Sequence, residues 1–379
     1  MLWITIILVV LISLLIVERF VVSRCVRQLE MRIHVNGTRG KSSVSEYIAA
    51  GLNSSGIDVL AKITGIIPTV IHNGEATAIK RTGAARVQEQ LDIIRLAARK
   101  KVRAVVLECM SIAPDLQKLE SRWFKPHIYV ITNIRDDHRE EMGSGIEEQA
   151  NSICEAIPQN CIVITNEVQF LDKIKDVASR KNCSVLSSQN HPDADFENLP
   201  DGAIEENISL ALSVCKAAGI DHHKAATGIK ACVSCKTSLL ISISSEKKTI
   251  RFLNAFAAND VESTIKLLEH WKGLTGYDKK VSILFNTRSD RPLRTDLFSR
   301  WIGSSSWTLD KIIITGSHSA RARNFLKSAG IDSERVYLWN RKEISNLKEN
   351  LLNIFHDGTI VMGIGNIAGD GLSIINKLS

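Results

Sequence analysis

The sequence lacks the patterns that mark several classes of protein. No run in it is arginine-rich or alternates basic with aromatic residues, so nothing indicates a nucleic-acid-binding protein. It contains no internal repeat and no low-complexity segment, which excludes repeat architectures. Of eight cysteines, Cys232 and Cys235 form one Cys-x-x-Cys pair without a second ligand pair nearby. Because a tetrahedral zinc site needs four ligands, we interpret the cysteines as free thiols.

What remains has the composition of an ordinary globular chain. Apolar residues make up 44% of it, charged residues make up 23%, and the net charge is +7. This positive charge suits an anionic membrane surface or an anionic substrate and does not choose between them. The chain is long enough for two domains with substantial cores.

The chain begins with an apolar run. Residues 2–17 carry no charge, Glu18 and Arg19 interrupt the run, and three more apolar residues extend it to residue 22. A membrane-spanning helix needs about 20 mostly apolar residues. Residues 2–22 are therefore long enough to span a membrane, provided that the side chains of Glu18 and Arg19 extend to the membrane–water interface.

A cleaved signal peptide is the alternative to a membrane span. It would need a basic segment before the run and a small-x-small cleavage site after it, and neither is present. Arg24 and Arg27 follow the run, so the positive-inside rule places the rest of the chain in the cytoplasm. We predict a single-pass protein of the cell membrane, with an anchor over residues 1–22, a linker over 23–31 and cytoplasmic catalytic domains.

The most informative stretch follows soon after. A short β-prone run at residues 33–35 enters a turn that contains Gly37 and Gly40, and Lys41 and Ser42 then open a segment with helical periodicity. Glycines let backbone N–H groups close on phosphate oxygens, and a helix N-terminus adds partial positive charge. A lysine here bridges the β- and γ-phosphates, and the serine hydroxyl binds Mg²⁺. The alternative, a chance Gly-Lys-Ser in an ordinary turn, does not explain the flanking strand and helix.

The body of the chain alternates strand-like and helix-like stretches, which is typical of parallel α/β layers. We predict a P-loop ATP-binding domain with a mainly parallel sheet over residues 32–245, and a smaller C-terminal Rossmann-like α/β domain over residues 246–379. A helix is predicted over 86–101. The predicted strands are residues 33–35, 104–107, 127–132, 161–165, 249–253, 281–285, 311–315, 336–339 and 359–362.

Three candidate side chains follow predicted strands of the first domain. Lys41, Glu108 and His138 each come after a strand end, and ligands of open parallel sheets bind beyond the carboxyl ends of the strands. One carboxylate together with phosphate oxygens and waters usually suffices for Mg²⁺. Glu108 fits that role, although a solvated carboxylate at a strand end is the simpler interpretation of the residue alone.

Several segments resemble known families. The loop Asn-Gly-Thr-Arg-Gly-Lys-Ser resembles the compressed phosphate loop of the Mur ligase and folylpolyglutamate synthase superfamily, in which the first glycine of the usual pattern is missing; Val35 stands in its place. Segments 107–110, 254–260, 286–291 and 363–367 are similar to the ligase subunits of poly-γ-glutamate synthase, the CapB or PgsB family. The similarity runs over nearly the whole chain and includes the apolar N-terminal run.

The resemblance implies a set of site residues. Catalytic roles fall on Lys41, Glu108, His138, Arg288 and Arg291, and metal binding falls on Ser42, Glu108 and His138. The arginines suit this assignment because guanidinium groups grip carboxylates and phosphates through two hydrogen bonds. The nucleotide-binding residues implied are Asn36, Gly37, Thr38, Arg39, Gly40, Lys41, Ser42, Ser43, Asn133 and Asn207.

One departure from the superfamily concerns the second metal. The residues Asn133, Asp137 and His138 match an Asn-x-x-x-Asp-His motif of these ligases. Many Mur ligases hold the second metal with a carbamylated lysine in the helix after that motif, whereas residues 142–158 contain no lysine. The second ligand beside His138 therefore stays open, with Glu140 and Glu141 as candidates.

The function implied by the resemblance is ATP- and Mg²⁺-dependent amide ligation that extends poly-γ-glutamate. The implied partners are glutamate, the growing polymer, small multi-spanning membrane subunits of a synthase complex, and further copies in an oligomer. Three alternatives stay open: a folylpolyglutamate- or Mur-type ligase acting on another substrate, an ATPase that drives export, and a scaffold that has lost turnover.

Overall fold

The computed structural model describes residues 2–65, 68–81, 83, 85–136, 139–143, 145–188, 204–234, 240–256, 258, 260–275, 281–304, 309–367 and 369–378. The chain divides into two compact units, Met1–Lys236 and Thr237–Ser379. Each unit is built on a mainly parallel sheet, as the sequence predicts. The carboxyl edge of a sheet is used below for the edge at which its parallel strands end, and the amino edge for the one at which they begin.

The first unit alternates strands and helices along the chain. Its elements are α1 Leu2–Gln28, β1 Met31–Asn36, α2 Lys41–Ser54, β2 Val59–Ile63, β3 Thr69–His72, β4 Glu75–Ala78, α3 Glu89–Lys100, β5 Ala104–Glu108, α4 Pro114–Phe124, β6 Ile128–Ile131, α5 Arg139–Met142, α6 Ile146–Glu155, β7 Ile162–Thr165, α7 Leu171–Arg180, β8 Ser184–Ser187, α8 Glu205–Ala217 and α9 His222–Ser234.

The sheet of the first unit has the order β4-β3-β2-β5-β1-β6-β7-β8. All neighbouring strands pair in parallel except β2 with β3 and β3 with β4, which form an antiparallel edge. Strands β1, β5 and β6 lie at the centre in the register Ile33↔Val106 and Val35↔Val130. Because helices cover both faces, these strands are apolar on both sides, which is why the sequence pattern finds them.

Two layers of helices cover this sheet. On one face, α2, α8 and α9 pack around Ile33, Val35 and Val106. On the other face, α1, α3 and α4 pack around Val105 and Leu107. The helix predicted over residues 86–101 is observed as α3, three residues later at its start and one residue shorter at its end.

The helix α1 differs from the sequence prediction. It is apolar and long enough to cross a membrane, but it continues through Gln28 instead of ending near residue 22. Val22 and Val26 are buried against α3 and α4, and β1 begins at Met31. Most of the predicted linker, residues 23–31, therefore belongs to α1, and residues 29 and 30 connect that helix to β1. Packing explains the difference, because the buried side of α1 stabilises the helix beyond the charged residues that interrupt the apolar run.

The second unit repeats the parallel design with a smaller sheet of order β13-β12-β11-β14-β10-β9, in which only the pair β10 and β9 is antiparallel. Strand β9 precedes residue 246, so the structure puts the boundary of this unit earlier than predicted. Its elements are β9 Leu240–Ser244, β10 Thr249–Asn254, α10 Val261–Thr275, β11 Val281–Thr287, α11 Pro292–Ser304, β12 Leu309–Gly316, α12 Ser319–Ser328, a 3₁₀ turn Ser333–Arg335, β13 Val336–Leu338, α13 Arg341–Ser345, α14 Leu347–Ile354, β14 Ile360–Gly365 and α15 Asp370–Leu378.

Candidate active site

The loop between β1 and α2 can be built only with glycine at two positions. Gly37 has φ +123° and Gly40 has φ +80°, a backbone region that other residues rarely adopt. A Cβ on Gly37 would lie 2.2 Å from Thr132 Oγ1, and a Cβ on Gly40 would lie 2.6 Å from Asn207 Oδ1. The loop is thus pressed between the end of β6 and the start of α8. The structure thereby brings Asn207, which is distant in sequence, against the phosphate loop.

The end of β6 supports the same loop through Asn133. The backbone N–H of Thr38 donates to Asn133 O at 2.9 Å, and that of Arg39 donates to Asn133 Oδ1 at 3.0 Å. In return, Asn133 Nδ2 donates to Arg39 O at 3.1 Å. Asn133 therefore supports the backbone of the loop with both its side-chain amide and its carbonyl oxygen.

Asn36 supports the loop from the strand below it. Its side chain is buried; Oδ1 accepts the N–H of Gly37 at 2.8 Å, while Nδ2 donates to Gln117 Oε1 at 2.9 Å and Tyr129 Oη at 2.8 Å. Gln117 and Tyr129 were not found from the sequence, because neither stands in a motif. With its side chain satisfied in this way, Asn36 holds the first peptide of the turn in place.

Lys41 folds back over the loop that it follows. Its ammonium donates to Gly37 O at 2.6 Å and to Thr38 O at 3.3 Å. Ser42 and Ser43 belong to the first turn of α2, so the positive end of the helix dipole lies beside this ammonium group. The residues present fit a bound phosphate chain.

Glu108, at the end of β5, faces Ser42. Both carboxylate oxygens lie 3.0 Å from Ser42 Oγ, and Oε2 accepts the N–H of Thr64 at 2.6 Å. Burial raises the pKa of Glu108 above its usual value, although the charge of Lys41 and these hydrogen bonds act in the opposite direction. A hydroxyl and a carboxylate oxygen are hard donors, so this pair fits Mg²⁺. His138, the other predicted metal ligand, lies outside the described residues.

A buried polar network underlies Glu108. Gln90 Nε2 donates to Glu108 O at 2.9 Å and to Glu120 Oε2 at 2.7 Å, and Glu120 Oε1 accepts the N–H of Ser111 at 2.9 Å. Lys62 is fully buried and donates to Gln90 Oε1 at 3.2 Å. This network fixes the backbone on both sides of the Glu108 strand end. No sequence motif indicates it, since its members come from separate elements.

His34 and Cys109 adjoin this network, and with Glu120 they form a buried group whose ligand atoms lie within 4.8 Å of one another. The oxygens of Glu120 are already engaged by protein donors, including Gln90 and Ser111. Burial also raises the pKa of the Cys109 thiol, which keeps it protonated. We therefore interpret the group as a structural support of the strand ends.

The predicted arginines lie in the second unit, in the loop between β11 and α11. Arg288 grips Asp290 with both arms of its guanidinium, Nε to Oδ1 at 2.9 Å and Nη2 to Oδ2 at 2.7 Å. Arg291 lies in the same loop, and its carbonyl accepts the N–H of Thr295 at 3.2 Å. The loop therefore presents half-exposed arginines at the carboxyl edge of the second sheet, with one of them already in the geometry that binds a carboxylate.

The fold and the phosphate loop define a nucleotide-binding α/β protein. A sequence model of the Mur ligase middle domain matches residues 35–227, more than half of the chain, and a model of the poly-γ-glutamate synthase CapB C-terminal domain matches residues 241–379. The chain belongs to the Mur ligase family. The predicted family is confirmed, and so is the predicted enzyme class, an ATP-dependent acid–amino-acid ligase.

Individual proteins agree with this assignment. The capsule biosynthesis protein CapB of Bacillus anthracis is 28% identical over 367 residues, which cover 92% of this chain and 76% of the relative. The PGA synthase CapB of Bacillus subtilis (strain 168) is 27% identical over 364 residues, or 92% and 90% of the two chains. A solved bifunctional folylpolyglutamate synthase/dihydrofolate synthase with Mn, AMPPNP and L-glutamate bound has a TM-score of 0.72 at 14% identity, covering 95% and 93%. This last likeness shows the fold.

Proposed function

We propose that the chain is the ligase that lengthens poly-γ-glutamate at the expense of ATP. The observation that carries the proposal is the contact of the buried Glu108 carboxylate with Ser42 Oγ at 3.0 Å, directly beside the loop that Lys41 closes. A site for Mg²⁺ directly beside a phosphate-binding loop is the arrangement that phosphoryl transfer requires. The relatives named CapB supply the substrate class, poly-γ-glutamate.

ATP and Mg²⁺ are the cofactors, and a bound Mg–ATP supplies the phosphoryl group that converts a carboxylate into an acyl phosphate. The loop formed by Gly37, Thr38, Arg39 and Gly40 and the start of α2 at Ser42 and Ser43 hold the phosphates, with the positive end of the helix dipole beside them. Lys41 balances the charge that develops as the phosphoryl group moves. Asn207 contacts the adenine; its position against Gly40 supports this assignment. Asn36 and Asn133 keep the loop in shape.

Ser42 and Glu108 would hold Mg²⁺, and the resemblance assigns His138 to a second metal. Because a carboxylate is a poor electrophile, its phosphorylation supplies the leaving group for amide formation. The amine of the next glutamate then attacks the carbonyl carbon, the new C–N bond forms, and phosphate leaves. Arg288 and Arg291 bind a carboxylate of the glutamyl chain or the γ-phosphate; their place in the loop after β11 and their partial exposure support this role.

The proposal extends to location and partners. The exposed apolar part of α1, within the predicted anchor of residues 2–22, holds the chain in the cell membrane with both units in the cytoplasm; the length and apolar character of α1 support this proposal. One or more small multi-spanning membrane subunits join it in the synthase, and the chain itself is oligomeric.

Incorporation of glutamate tests this function directly. The full chain in detergent is supplied with Mg–ATP, radiolabelled glutamate and a γ-linked glutamate oligomer, and ADP and labelled polymer are measured together. We expect ADP release to require both glutamate and the oligomer and to match amide formation. ATP hydrolysis that ignores both substrates would instead identify a general ATPase, and the absence of any turnover would identify a scaffold.

A further inference from the structure

We propose that the bilayer lies on the nucleotide side of the first unit, so that the carboxyl edge of its sheet faces the membrane surface. The occupant of this face is a lipid surface. The inference rests on the membrane anchoring proposed above and adds an orientation to it.

The direction of α1 carries the argument. Glu18 pairs with Arg95 at 2.7 Å, and Glu30, just past the end of α1, pairs with Arg103 at 3.0 Å. Residue numbers therefore rise together along α1 and α3, so the two run in the same direction. Since α3 ends just before β5 starts, both run from the carboxyl edge towards the amino edge. The N-terminal, apolar half of α1 therefore projects beyond the carboxyl edge of the sheet, where Asn36 and Glu108 lie.

Helix dimensions show how far it extends. From Glu18 to Gln28, where α1 ends, the helix axis rises about 15 Å, which is close to the height of a five-residue strand, about 16 Å. Residues 2–17, all exposed, add about 24 Å beyond Glu18. The apolar segment therefore begins near the level of the carboxyl edge and continues away from the amino edge.

The connection between α1 and the sheet holds this direction. Leu29 is buried, and the guanidinium of Arg32 donates to Val26 O at 3.1 Å, to Leu29 O at 2.7 Å and to Lys125 O at 2.9 Å. Arg32 thereby satisfies carbonyls at the end of α1 and ties them to β1 and to the end of α4. With Val26 buried as well, the anchor and the first unit are joined without a flexible linker.

Charge at the exposed carboxyl edge suits a bilayer. The strand β4 ends at this edge. Its last residue, Ala78, pairs with Thr69 of β3, and Thr69 pairs with Ile63 at the end of β2. Lys80 and Arg86 follow it and are exposed. Basic side chains at this level are attracted to an anionic membrane surface. Ligation would then occur on the side from which membrane subunits can reach the product.

Energy transfer to labelled lipid measures the orientation. The full chain is reconstituted into phosphatidylcholine–phosphatidylglycerol vesicles that contain headgroup-labelled acceptor lipid, with a fluorescent amino acid at Lys80, on the carboxyl edge, or at Lys101, on the amino edge. Both positions are exposed. We expect higher transfer efficiency from position 80, because the edges are separated by about 16 Å. Equal or reversed efficiencies in protein that resists carbonate extraction would overturn the orientation and leave the anchoring intact.

A pair of variants tests the role of the Glu18–Arg95 contact. Arg95→Ala should reduce the difference in transfer between the two labels, whereas Arg99→Ala, an exposed position one turn further along α3, should preserve it. An undiminished difference in Arg95→Ala would show that the ion pair does not hold the direction of α1. Release of the unmodified chain by carbonate would overturn the anchoring proposal itself, and the orientation with it.

Discussion

The carboxyl edges of the two sheets are built by different means. In the first unit the key groups are buried and held by the backbone: Glu108 is 3% exposed, and Gly37 and Gly40 leave no room for a side chain. In the second unit the loop after β11 carries long arginines, and the side chain of Arg288 is 35% exposed. The first edge is therefore shaped by the fold itself, whereas the second is shaped by side chains that can reorient.

This difference has energetic consequences. Buried polar groups are costly to leave unpaired, so the network beneath Glu108 couples the site to the stability of the first unit. Exposed ion pairs contribute little to stability, so changes to Arg288 can alter binding while the second unit stays folded. Substitutions in the network beneath Glu108 should therefore change both stability and activity, whereas substitutions of Arg288 should change activity while the second unit stays folded.

The largest effect is expected from Lys41→Ala. Loss of the ammonium over the phosphate loop should reduce ADP formation and polymer synthesis by about a hundredfold or more, because it removes a charge that stabilises the transition state. Membrane location and melting temperature should be unchanged, since Lys41 is only half-buried. The matched control is Lys224→Ala at an exposed lysine of α9. Normal synthesis by Lys41→Ala would rule out the phosphate loop.

Glu108→Gln should lower turnover by about a hundredfold while leaving stability intact. Burial raises the pKa of this carboxyl group, so the ionised form is disfavoured in the folded state. The stability it contributes is thus present at low pH and declines as the pH rises through the raised pKa. In metal-free buffer at neutral pH, a neutral glutamine should therefore match or exceed the wild-type melting temperature.

Added Mg²⁺ provides the second measurement for this variant. Mg²⁺ should raise the melting temperature of the wild type and of Glu75→Gln, an exposed carboxylate on β4, but not that of Glu108→Gln. A Mg²⁺ response of Glu108→Gln equal to that of the wild type would exclude Glu108 as a ligand.

Gly37→Ala should destabilise the first unit by about 1–3 kcal/mol, because the new Cβ overlaps Thr132 Oγ1 at 2.2 Å in a left-handed backbone. Gly56→Ala separates the two causes. Gly56 also has a positive φ, +79°, but a Cβ there meets nothing within 4 Å, so only the backbone cost of about 1 kcal/mol remains. Chemical denaturation measures both values. Equal losses of unfolding free energy in Gly37→Ala and Gly56→Ala would show that the loop around Gly37 is not tightly packed.

The smallest effect is expected in the second unit. Arg288→Lys removes the two-armed grip and should raise the KM for glutamate or the oligomer by about tenfold, the loss of one charged hydrogen bond. Arg321 is a close control, because it holds Asp296 with the same 2.9 and 2.7 Å distances on an exposed surface. Arg321→Lys should leave KM unchanged, and both variants should lose at most about 1 kcal/mol of stability. An unchanged KM in Arg288→Lys would remove the arginine from the substrate site.

Local patterns predicted the central strands well and the edges poorly. The apolar runs at residues 33–35 and 104–107 lie inside β1 and β5, since buried parallel strands are continuously apolar. Strand β4, with the sequence Glu-Ala-Thr-Ala, is exposed throughout and carries no such signal. The extension of α1 has a signal in the sequence: Val22 and Val26 recur at helical spacing and are the buried residues of this helix.

The sequence by itself determined the phosphate loop, the serine that follows Lys41, the glutamate at a strand end and the apolar helix, because each depends on residues adjacent in the chain. The tertiary structure alone decided which distant groups surround them. Thr64 reaches Glu108, and Asn207 reaches Gly40, because β2, β5, β1 and β6 are neighbours in the sheet and α8 packs on its face. Strand order is set by the packing of whole elements, and local periodicity does not contain it.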